Sequence, residues 1–366
     1  MSYAKIAAGL AERGHRVHCV TAARRLTVRL EAEGLPVTQL PGGDTGPREV
    51  WSLWRTLRML GAQAIVADTP RDVRLSSYAT MVHPARIIYR YNLNYRRPRN
   101  HLMDRIYLSR VAACVYQSRF IRDRAWEQMP WMKRIAHYQV PNGYDTIQYA
   151  PRPLAGADFR RKYGIPAKAL VVLTSAKLSR DKGHDVALAA LALVRQAGTD
   201  LTYLICGDGG KEAELRVMAH NRQVPTVFTG LLGADQLIEA LSAADLVVHP
   251  SLREIFPNAV GEAMSCARPV IAADAGGTGE LLGGDGSTGL LVPPDDPVAL
   301  AQAIGDLLHD PGRGAAMGEA ARRRIEQAFP LSRMIDGYEA VLARVIGGGA
   351  QRRSTTRDIG LQRRPG

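Results

Sequence analysis

The chain has 366 residues, 46% of them hydrophobic, which is enough to bury the cores of two domains. No apolar run approaches the roughly 18 residues of a membrane-spanning helix, and no secretory signal pattern follows Met1, so we expect a cytoplasmic protein. The four cysteines lie singly in or beside apolar segments, which excludes a disulfide framework or a cysteine metal site and favours reduced core thiols.

The net charge of +13 is concentrated in the first half of the chain. Residues 1–150 contain 23 Lys and Arg against 11 Asp and Glu, a balance of +12, whereas residues 151–366 contain 25 against 24. Such a basic half suits an acidic substrate, an anionic membrane surface or nucleic acid. Because no nucleic-acid motif accompanies the arginines, we expect no nucleic-acid partner and keep peripheral membrane contact as a hypothesis.

The first half opens on "SYAKIAAGLAERG", an amphipathic segment that predicts a helix before any strand. Apolar runs of strand length then alternate with helical segments, which is typical of βα units and parallel sheets. The strand candidates are "RVHCV" (16–20), "AIVAD" (64–68), "RIIYRY" (86–91), "AACVYQS" (112–118) and "IAHYQV" (135–140).

The second half repeats this alternation more regularly and predicts a doubly wound domain. Its strand candidates are residues 169–176, 201–207, 224–230, 245–250 and 269–274, with helices starting near residues 183, 211, 234 and 258. A Pro- and Gly-rich linker joins the halves, and the last residues form a basic tail without apolar periodicity. We predict domains at 1–148 and 149–330, a helix at 331–347 that returns to the first domain, and a disordered tail at 348–366.

Loops after parallel strands are the places where α/β proteins bind ligands. The loop "KLSRDKG" carries Lys177, Arg180 and Lys182, which could neutralise a diphosphate, although such a cluster is also typical of a solvated turn. The loop "GDGGKEAELR" has Gly207 and Gly209 but lacks the third glycine of a dinucleotide-binding fingerprint. A dehydrogenase is therefore not expected.

Two carboxylates, Glu254 and Glu262, lie on either side of a predicted helix start at Asn258. Asn258 is a favourable N-cap residue, and the amides that follow it could bind phosphate. Carboxylates repel phosphate but suit sugar hydroxyls. From spacing alone, a purely structural interpretation, in which Glu262 stabilises the helix dipole and Glu254 is solvated, is equally consistent.

The segment "SLREIFPNAVGEAMSCARPVIAADAGGTGELL" resembles the E-x7-E signature of the retaining family 4 glycosyltransferases, which have the GT-B fold. The resemblance covers about residues 4–346, and "KLSRDKG", "CGDGG", "VFTGLL", "SAADLVVHPS" and "TGLLVPPDDPVALAQAI" follow in the family's order. It implies two Rossmann-like α/β domains that face a crevice. It also implies transfer of a sugar, with retention, from a UDP- or GDP-sugar to a glycan, lipid-linked or lipopolysaccharide-type acceptor, without a metal or other cofactor.

The resemblance also assigns roles to residues. Glu254 would contact the transferred sugar, Glu262 would bind the ribose, and Lys177 and Lys182 would stabilise the leaving diphosphate. Gly230 and Leu231 would border the base. Backbone groups of further donor-site residues would approach the sugar and diphosphate, and these residues are Gly207, Ile255, Phe256, Asn258 and Ala259.

Three departures from the family qualify this interpretation. Lys177 replaces the family's usual arginine, so a point charge replaces a planar fork. The family's acceptor-side histidine is missing after "RIIYRY", which leaves Arg90, Asn92 or Asn94 as candidates. The usual first strand and glycine-rich loop are also missing, which we interpret as an incomplete start at Met1. A non-catalytic nucleotide-binding or scaffold protein derived from the family is the alternative function.

Overall fold

A computed structural model describes residues 2–42, 45–92 and 101–347, which form two compact units. The first unit comprises the chain up to Gly143 and from Ser332 onward, and the second unit comprises Tyr144–Leu331. The change of unit comes five residues before the predicted boundary at 148. The boundary lies there because two segments that are far apart in the sequence pair at this point. Tyr144 N donates to Phe329 O, and Leu331 N donates to Tyr144 O.

The first unit contains parallel strands covered by helices. A two-stranded sheet pairs β1 with β2, and a four-stranded sheet has the order β3-β4-β5-β6. The strands are β1 Cys19–Thr21, β2 Val37–Gln39, β3 Ala64–Ala67, β4 Arg86–Tyr91, β5 Val111–Tyr116 and β6 Ala136–Gln139. The helices are α1 Ser2–Glu12, α2 Arg24–Ala32, α3 Pro47–Leu60, α4 Pro70–Ala79, α5 His101–Leu108 and α6 Arg119–Gln128.

The five predicted strands of the first half are confirmed, with one displacement. β4 matches "RIIYRY" residue for residue, whereas β1 begins at Cys19, three residues later than predicted. The register of β1 is fixed by pairing of Cys19 with Val37, and His18 before it forms a side-chain hydrogen bond with Thr38 at 2.7 Å. β2 was not predicted.

The second unit is a six-stranded parallel sheet of order β12-β11-β10-β7-β8-β9 with helices packed against it. The strands are β7 Leu170–Ser175, β8 Leu201–Cys206, β9 Thr226–Phe228, β10 Leu246–His249, β11 Val270–Ala273 and β12 Leu290–Val292. The helices are α7 Pro153–Lys162, α8 His184–Gln196, α9 Glu212–Asn221, α10 Ala234–Ala243, α11 Asn258–Ser265, α12 Thr278–Leu282, α13 Pro297–His309 and α14 Pro311–Ala328. All five predicted strands are present, and this order is that of a doubly wound sheet.

Burial on both faces explains the unbroken apolar runs of this sheet. Val171 and Leu173 of β7 belong to one buried cluster, and Val172 between them belongs to a second cluster on the other face. Side chains of a strand alternate between faces, so a strand covered by helices on both sides needs apolar residues at every position. The sheet is therefore fixed in register, which holds the loops at its carboxyl edge in place.

Helix α15, Leu331–Gly347, belongs to the first unit from Ser332 onward. Arg13 forms ion pairs with Asp336 at 2.6 Å and with Glu339 at 2.7 Å. The predicted tail at 348–366 lies outside the described residues. All four cysteines are free thiols, three of them buried. Each helix within the described ranges is too short or too polar to cross a membrane.

Candidate active site

The loops that follow β7 and β10 lie side by side at the carboxyl edge of the second unit's sheet. β7 pairs directly with β10 although two strands separate them in the chain, so the strand order reverses between them. Ligands of doubly wound proteins bind at such a reversal. We call residues 176–183 the lysine loop and residues 250–257 the glutamate loop.

Glu254 of the glutamate loop accepts two hydrogen bonds on one carboxylate oxygen. Lys182 Nζ donates to Glu254 Oε1 at 2.6 Å, and His249 Nε2 lies 2.8 Å from the same oxygen. The Glu254 side chain is only 11% exposed and that of His249 is 5% exposed. The structure thus brings two predicted site residues, Lys182 and Glu254, into direct contact and adds a histidine to them.

The carboxyl group of Glu254 is ionised at neutral pH. Burial acts to raise its pKa, but the hydrogen bond and charge of His249, together with Lys182, outweigh burial and lower the pKa to about 2. An ionised carboxylate can only accept hydrogen bonds, so His249 must carry its proton on Nε2. The cluster therefore presents a fixed negative charge beside a lysine.

Backbone contacts hold the lysine loop against the glutamate loop. Leu252 N donates to Asp181 O at 2.9 Å, and Ser251 Oγ donates to the same carbonyl at 3.2 Å. Gly183 has φ of 66°, and a Cβ there would lie 2.0 Å from Pro250 O. A side chain at position 183 would therefore push the two loops apart.

A glycine pair closes the glutamate loop from the side of β11. Gly277 N donates to Ile255 O at 3.1 Å. Gly276 has φ of 63°, and a Cβ there would lie 1.9 Å from Glu254 O. The glycines after β11 therefore let that segment pack directly on the backbone that carries Glu254.

Glu262 lies one turn inside α11, as expected from its spacing. The helix itself begins at Asn258, and its cap residue is Pro257, which has extended backbone and makes no side-chain cap. The predicted N-cap role of Asn258 is therefore wrong. Pro257 has ψ of 107°, so the helical turns begin one residue later and Asn258 is the first helical residue and not the cap.

Tyr144 is buried against the start of α11. Its hydroxyl donates to Pro257 O at 3.4 Å, and a Cβ on Gly261 would lie 2.0 Å from its ring. Burial raises the pKa of Tyr144 well above its ordinary value, and the charges of Glu262 and Glu254 act in the same direction. The Tyr144 ring therefore packs directly against α11, and only a glycine at position 261 leaves room for it.

Comparison with known proteins finds a family model that is similar to this part of the chain. Residues 157–324 match the family of group 1 glycosyl transferases. This group 1 segment contains both loops and all of α11, so it contains Lys182, His249, Glu254 and Glu262.

Two curated relatives show what the chain is similar to. It is 34% identical to a GDP-mannose-dependent alpha-(1-6)-phosphatidylinositol monomannoside mannosyltransferase of Mycolicibacterium smegmatis, over 57% of this chain and 56% of the relative. It is 32% identical to a D-inositol 3-phosphate glycosyltransferase of Pseudarthrobacter chlorophenolicus, over 58% and 54%. The chain thus spans little more than half the length of these relatives.

Solved structures show the fold. A glycosyltransferase of Rickettsia africae superposes with a TM-score of 0.81 at 18% identity, over 93% of both chains. The Anabaena protein HepE, crystallised with UDP-glucose, superposes with a TM-score of 0.82 at 22% identity, over 93% of this chain and 94% of that one. At such identities the likeness concerns the fold alone, and it confirms the predicted GT-B fold with two Rossmann-like units.

Other predicted donor residues follow strands at the carboxyl edge of the second unit's sheet. Gly207 N donates to Gly230 O at 2.9 Å, so the ends of β8 and β9 are joined there. The adjacent Leu231 is 77% exposed, which leaves an apolar side chain available to a planar ring. Lys177 is exposed at the start of the lysine loop.

The remaining donor-site residues differ in their surroundings. Phe256 is buried, and its ring lies 5.7 Å from that of Phe329, so its side chain belongs to the core. Ile255 and Ala259 are half-buried, and Asn258 is exposed at the first position of α11. A role of Phe256 toward a ligand could therefore involve only its backbone.

The acceptor-side candidates lie in the first unit. Arg90 is buried, with Nη2 donating to Asn142 Oδ1 at 3.0 Å and Nη1 lying 3.4 Å from Asp68 Oδ1. These contacts give Arg90 a structural partner on each side. Asn92 is half-buried directly after β4, and Asn94 lies outside the described residues.

Sequence reasoning missed His249, although it ends the apolar run "LVVH" at the carboxyl edge of the sheet. A polar histidine at the end of an apolar strand could have been predicted as a site residue. It missed Asp68 in the same way, at the end of "AIVAD". Burial raises the pKa of Asp68 above its ordinary value, with Arg90 opposing the shift.

Positive charge near the glutamate loop comes from side chains. The lysine loop carries Lys177, Arg180 and Lys182. Arg180 is exposed, and Lys182 is paired with Glu254.

Within residues 2–42, 45–92 and 101–347, no group of three or more His, Cys, Asp or Glu side chains is arranged to hold a metal ion.

Proposed function

We propose that the protein is a retaining glycosyltransferase that transfers a sugar from a nucleoside diphosphate sugar to a lipid-linked acceptor. The observation that carries this proposal is the contact of Lys182 and His249 with Glu254 at the strand-order reversal of the group 1 segment. The cluster places an anionic hydrogen-bond acceptor, suited to sugar hydroxyls, beside a cation that suits a diphosphate. The acceptor class is inferred from relatives named for action on phosphatidylinositol monomannoside.

The proposed chemistry exchanges one bond at the anomeric carbon. The bond between the sugar and the diphosphate oxygen breaks, the acceptor hydroxyl oxygen forms a new bond to the same carbon with the same anomeric configuration, and the hydroxyl proton is released. Negative charge develops on the leaving diphosphate. Lys182 and Lys177 would stabilise that charge more strongly in the transition state than in the bound donor, which accelerates the reaction.

Glu254 and Glu262 would hold the donor in this chemistry. Glu254, fixed by Lys182 and His249, would accept hydrogen bonds from hydroxyls of the transferred sugar, and Glu262 would bind the ribose. Because lysines supply the positive charge, we propose that the protein needs no metal or other cofactor. Relatives named for GDP-mannose make a GDP-sugar the first donor to test, with UDP-sugars beside it. We place the reaction at the cytoplasmic face of a membrane.

Glu254→Gln tests the proposal. The substitution keeps the size of the side chain but removes the charge, so we expect kcat/KM for sugar transfer to fall at least about 100-fold, as for loss of a well-placed polar contact in a transition state. The full chain is assayed with GDP-mannose, UDP-glucose and UDP-N-acetylglucosamine, with phosphatidylinositol monomannoside in mixed micelles as acceptor and donor hydrolysis as a second readout. Glu319→Gln, on an exposed carboxylate of α14, is the matched control and should leave the rate unchanged.

One outcome would reject the enzyme, and a second would reject the role of the cluster. If the wild-type chain neither transfers nor hydrolyses any of the three donors, and Glu254→Gln binds GDP and UDP as wild type does, the non-catalytic nucleotide-binding alternative is favoured. The substitution of the family's arginine by Lys177 is the observation that supports that alternative. If Glu319→Gln lowers the rate as much as Glu254→Gln, the effect is not specific to the cluster.

A further inference from the structure

An apolar cavity opens on the surface of the first unit between α3 and α4, far along the chain from the group 1 segment. Its volume is about 650 Å³. Both helices and the turn after α4 line it, through Val50, Trp51, Trp54, Tyr78, Met81 and Val82.

The rim of this cavity exposes large apolar side chains. Trp51 is 56% exposed, Met81 is 66% exposed and Val82 is 77% exposed. The inner face of α3 is already packed in the core, because Leu53 and Leu57 are buried in a core cluster. A contiguous apolar patch on a protein surface usually marks a binding site. We call these rim residues, Trp51, Met81 and Val82, the apolar patch.

Exposed arginines lie on the helix that carries Trp51 of the apolar patch. Arg48, Arg55 and Arg58 are all exposed on α3. The guanidinium of Arg55 lies 5.4 Å from the ring centre of Trp51, and that of Arg58 lies 5.5 Å from the ring centre of Trp54. The cations are therefore held beside the indoles and not away from them.

The one carboxylate of α3 does not lie exposed beside these arginines. Glu49 of α3 is buried, with its side chain turned toward Gly46. Asp72 of α4 accepts from Thr69 N at 2.9 Å in a capping box. The outer surface of α3 is consequently both cationic and apolar.

We propose that the apolar patch and the α3 arginines bind the surface of an anionic phospholipid membrane, with an acyl chain entering the cavity. Indole rings and arginines prefer the interface between headgroups and hydrocarbon, and a basic helix with apolar side chains lies in that plane. Three cations on one helix suit a surface of many phosphates, whereas a protein partner would have to supply matched carboxylates. The inference names a surface for the membrane contact in the proposed function, and its test uses no sugar donor, so either can fail alone.

Liposome flotation of the full chain tests this surface. We expect at least 10-fold stronger partition onto vesicles of 70% phosphatidylcholine and 30% phosphatidylglycerol than onto phosphatidylcholine alone, and loss of that preference in 0.5 M salt. The variant Trp51→Ala/Met81→Ser/Val82→Ser should lose at least 10-fold in partition. Leu154→Ser/Val217→Ser, on exposed apolar residues of the second unit, is its control and should bind as wild type.

The contribution of charge is measured separately. Arg55→Gln/Arg58→Gln should lower partition onto the anionic vesicles about 30-fold and reduce its salt dependence, since each of the two cations near such a surface contributes about 1 kcal/mol. Arg24→Gln/Arg25→Gln removes the same charge from exposed positions of α2 and should change partition less than threefold. Vesicles with brominated acyl chains should quench tryptophan fluorescence in the wild type and markedly less in Trp51→Phe.

Three results would overturn the proposal. The first is equal binding to neutral and anionic vesicles. The second is wild-type partition by the Trp51→Ala/Met81→Ser/Val82→Ser variant, which would leave the apolar patch to a protein partner. The third is equal loss in the α2 and α3 arginine variants, which would show attraction by overall charge without a defined surface.

Discussion

His184 is the first residue of α8, directly behind the lysine loop, and is only 2% exposed. Its Nε2 lies 3.2 Å from Lys177 O, and its Nδ1 lies 3.4 Å from Tyr203 Oη. Burial lowers the pKa of His184 to about 4, partly opposed by the contact with the Lys177 carbonyl. The ring is therefore neutral in the folded protein at neutral pH and supports the loop that carries the two lysines.

The depressed pKa of His184 predicts a loss of stability in mild acid. An unfolded histidine takes up a proton near pH 6.5 and the folded one only near pH 4, so its stabilising effect is present above pH 6.5 and lost between 6.5 and 4. The loss should amount to about 3 kcal/mol in the free energy of unfolding. Urea titrations at pH 7, 5.5 and 4 should show this slope in wild type and a smaller slope in His184→Gln.

His309→Gln changes an exposed histidine of α13 and serves as the control, with a slope expected to match wild type. The effect of Glu254 on stability falls in a separate pH range. Its pKa is lowered from 4.5 to about 2, so its stabilising effect is present above pH 4.5 and is lost between pH 4.5 and 2. An unchanged slope between pH 6.5 and 4 in His184→Gln would contradict the assignment to His184.

At the scale of elements, glycines decide how closely the loops and helices of the site approach one another. In α11, Gly261 leaves room for the ring of Tyr144. In α13, Gly305 has no neighbouring atom within 4 Å of where a Cβ would be. The packing around Gly261 requires a glycine, whereas the surroundings of Gly305 do not. The two positions are therefore a matched pair for substitution by alanine.

Gly261→Ala should lower the free energy of unfolding by about 3 kcal/mol, because its methyl group would overlap the Tyr144 ring and force α11 to move. Gly305→Ala should raise it by about 0.5–1 kcal/mol, since alanine is the better helix former and nothing obstructs it. Urea midpoints with unchanged slopes measure both changes. Equal effects in the two variants would show that helix propensity, and not the Tyr144 contact, governs position 261.

Sequence patterns predicted most of the strands because buried parallel strands are unbroken apolar runs. β4 and β8 stand out in this way, whereas β2 and β12 have three residues each and give no comparable signal. The lysine and glutamate loops could be selected because they follow such runs. The contact of His249 with Glu254 could not, because it depends on the backbone path that Gly276 and Gly183 allow.

Side-chain contacts between residues of different strands could not be predicted from the sequence either. Arg90 was a candidate for the acceptor side in place of the missing histidine, yet it contacts Asp68, directly after β3, and Asn142 from the segment after β6. Which polar residues meet across a sheet depends on strand order and register, which composition and spacing do not specify. The burial of Arg90 therefore appears only in the folded unit.

For the whole molecule, charge and chemistry are divided between the two units. The basic excess of +12 lies in residues 1–150, which contain the apolar patch and its arginines, whereas residues 151–366 are nearly balanced and contain the group 1 segment. This division fits a protein in which one unit contacts an anionic lipid surface and the other holds the nucleotide-sugar. The two activities can then be measured independently.

Hydrogen exchange of the full chain with GDP or UDP tests this division. Because the proposed donor residues follow β7, β8 and β10, nucleotide should slow exchange in the lysine loop, near Gly207 and in the glutamate loop with the start of α11. Peptides of α3 and α4 should be unchanged by nucleotide and protected by anionic vesicles instead. Lys182→Gln should reduce the nucleotide effect, whereas Lys168→Gln, on an exposed lysine before β7, should preserve it. Nucleotide protection confined to α3 and α4 would contradict the assignment of the donor site to the second unit.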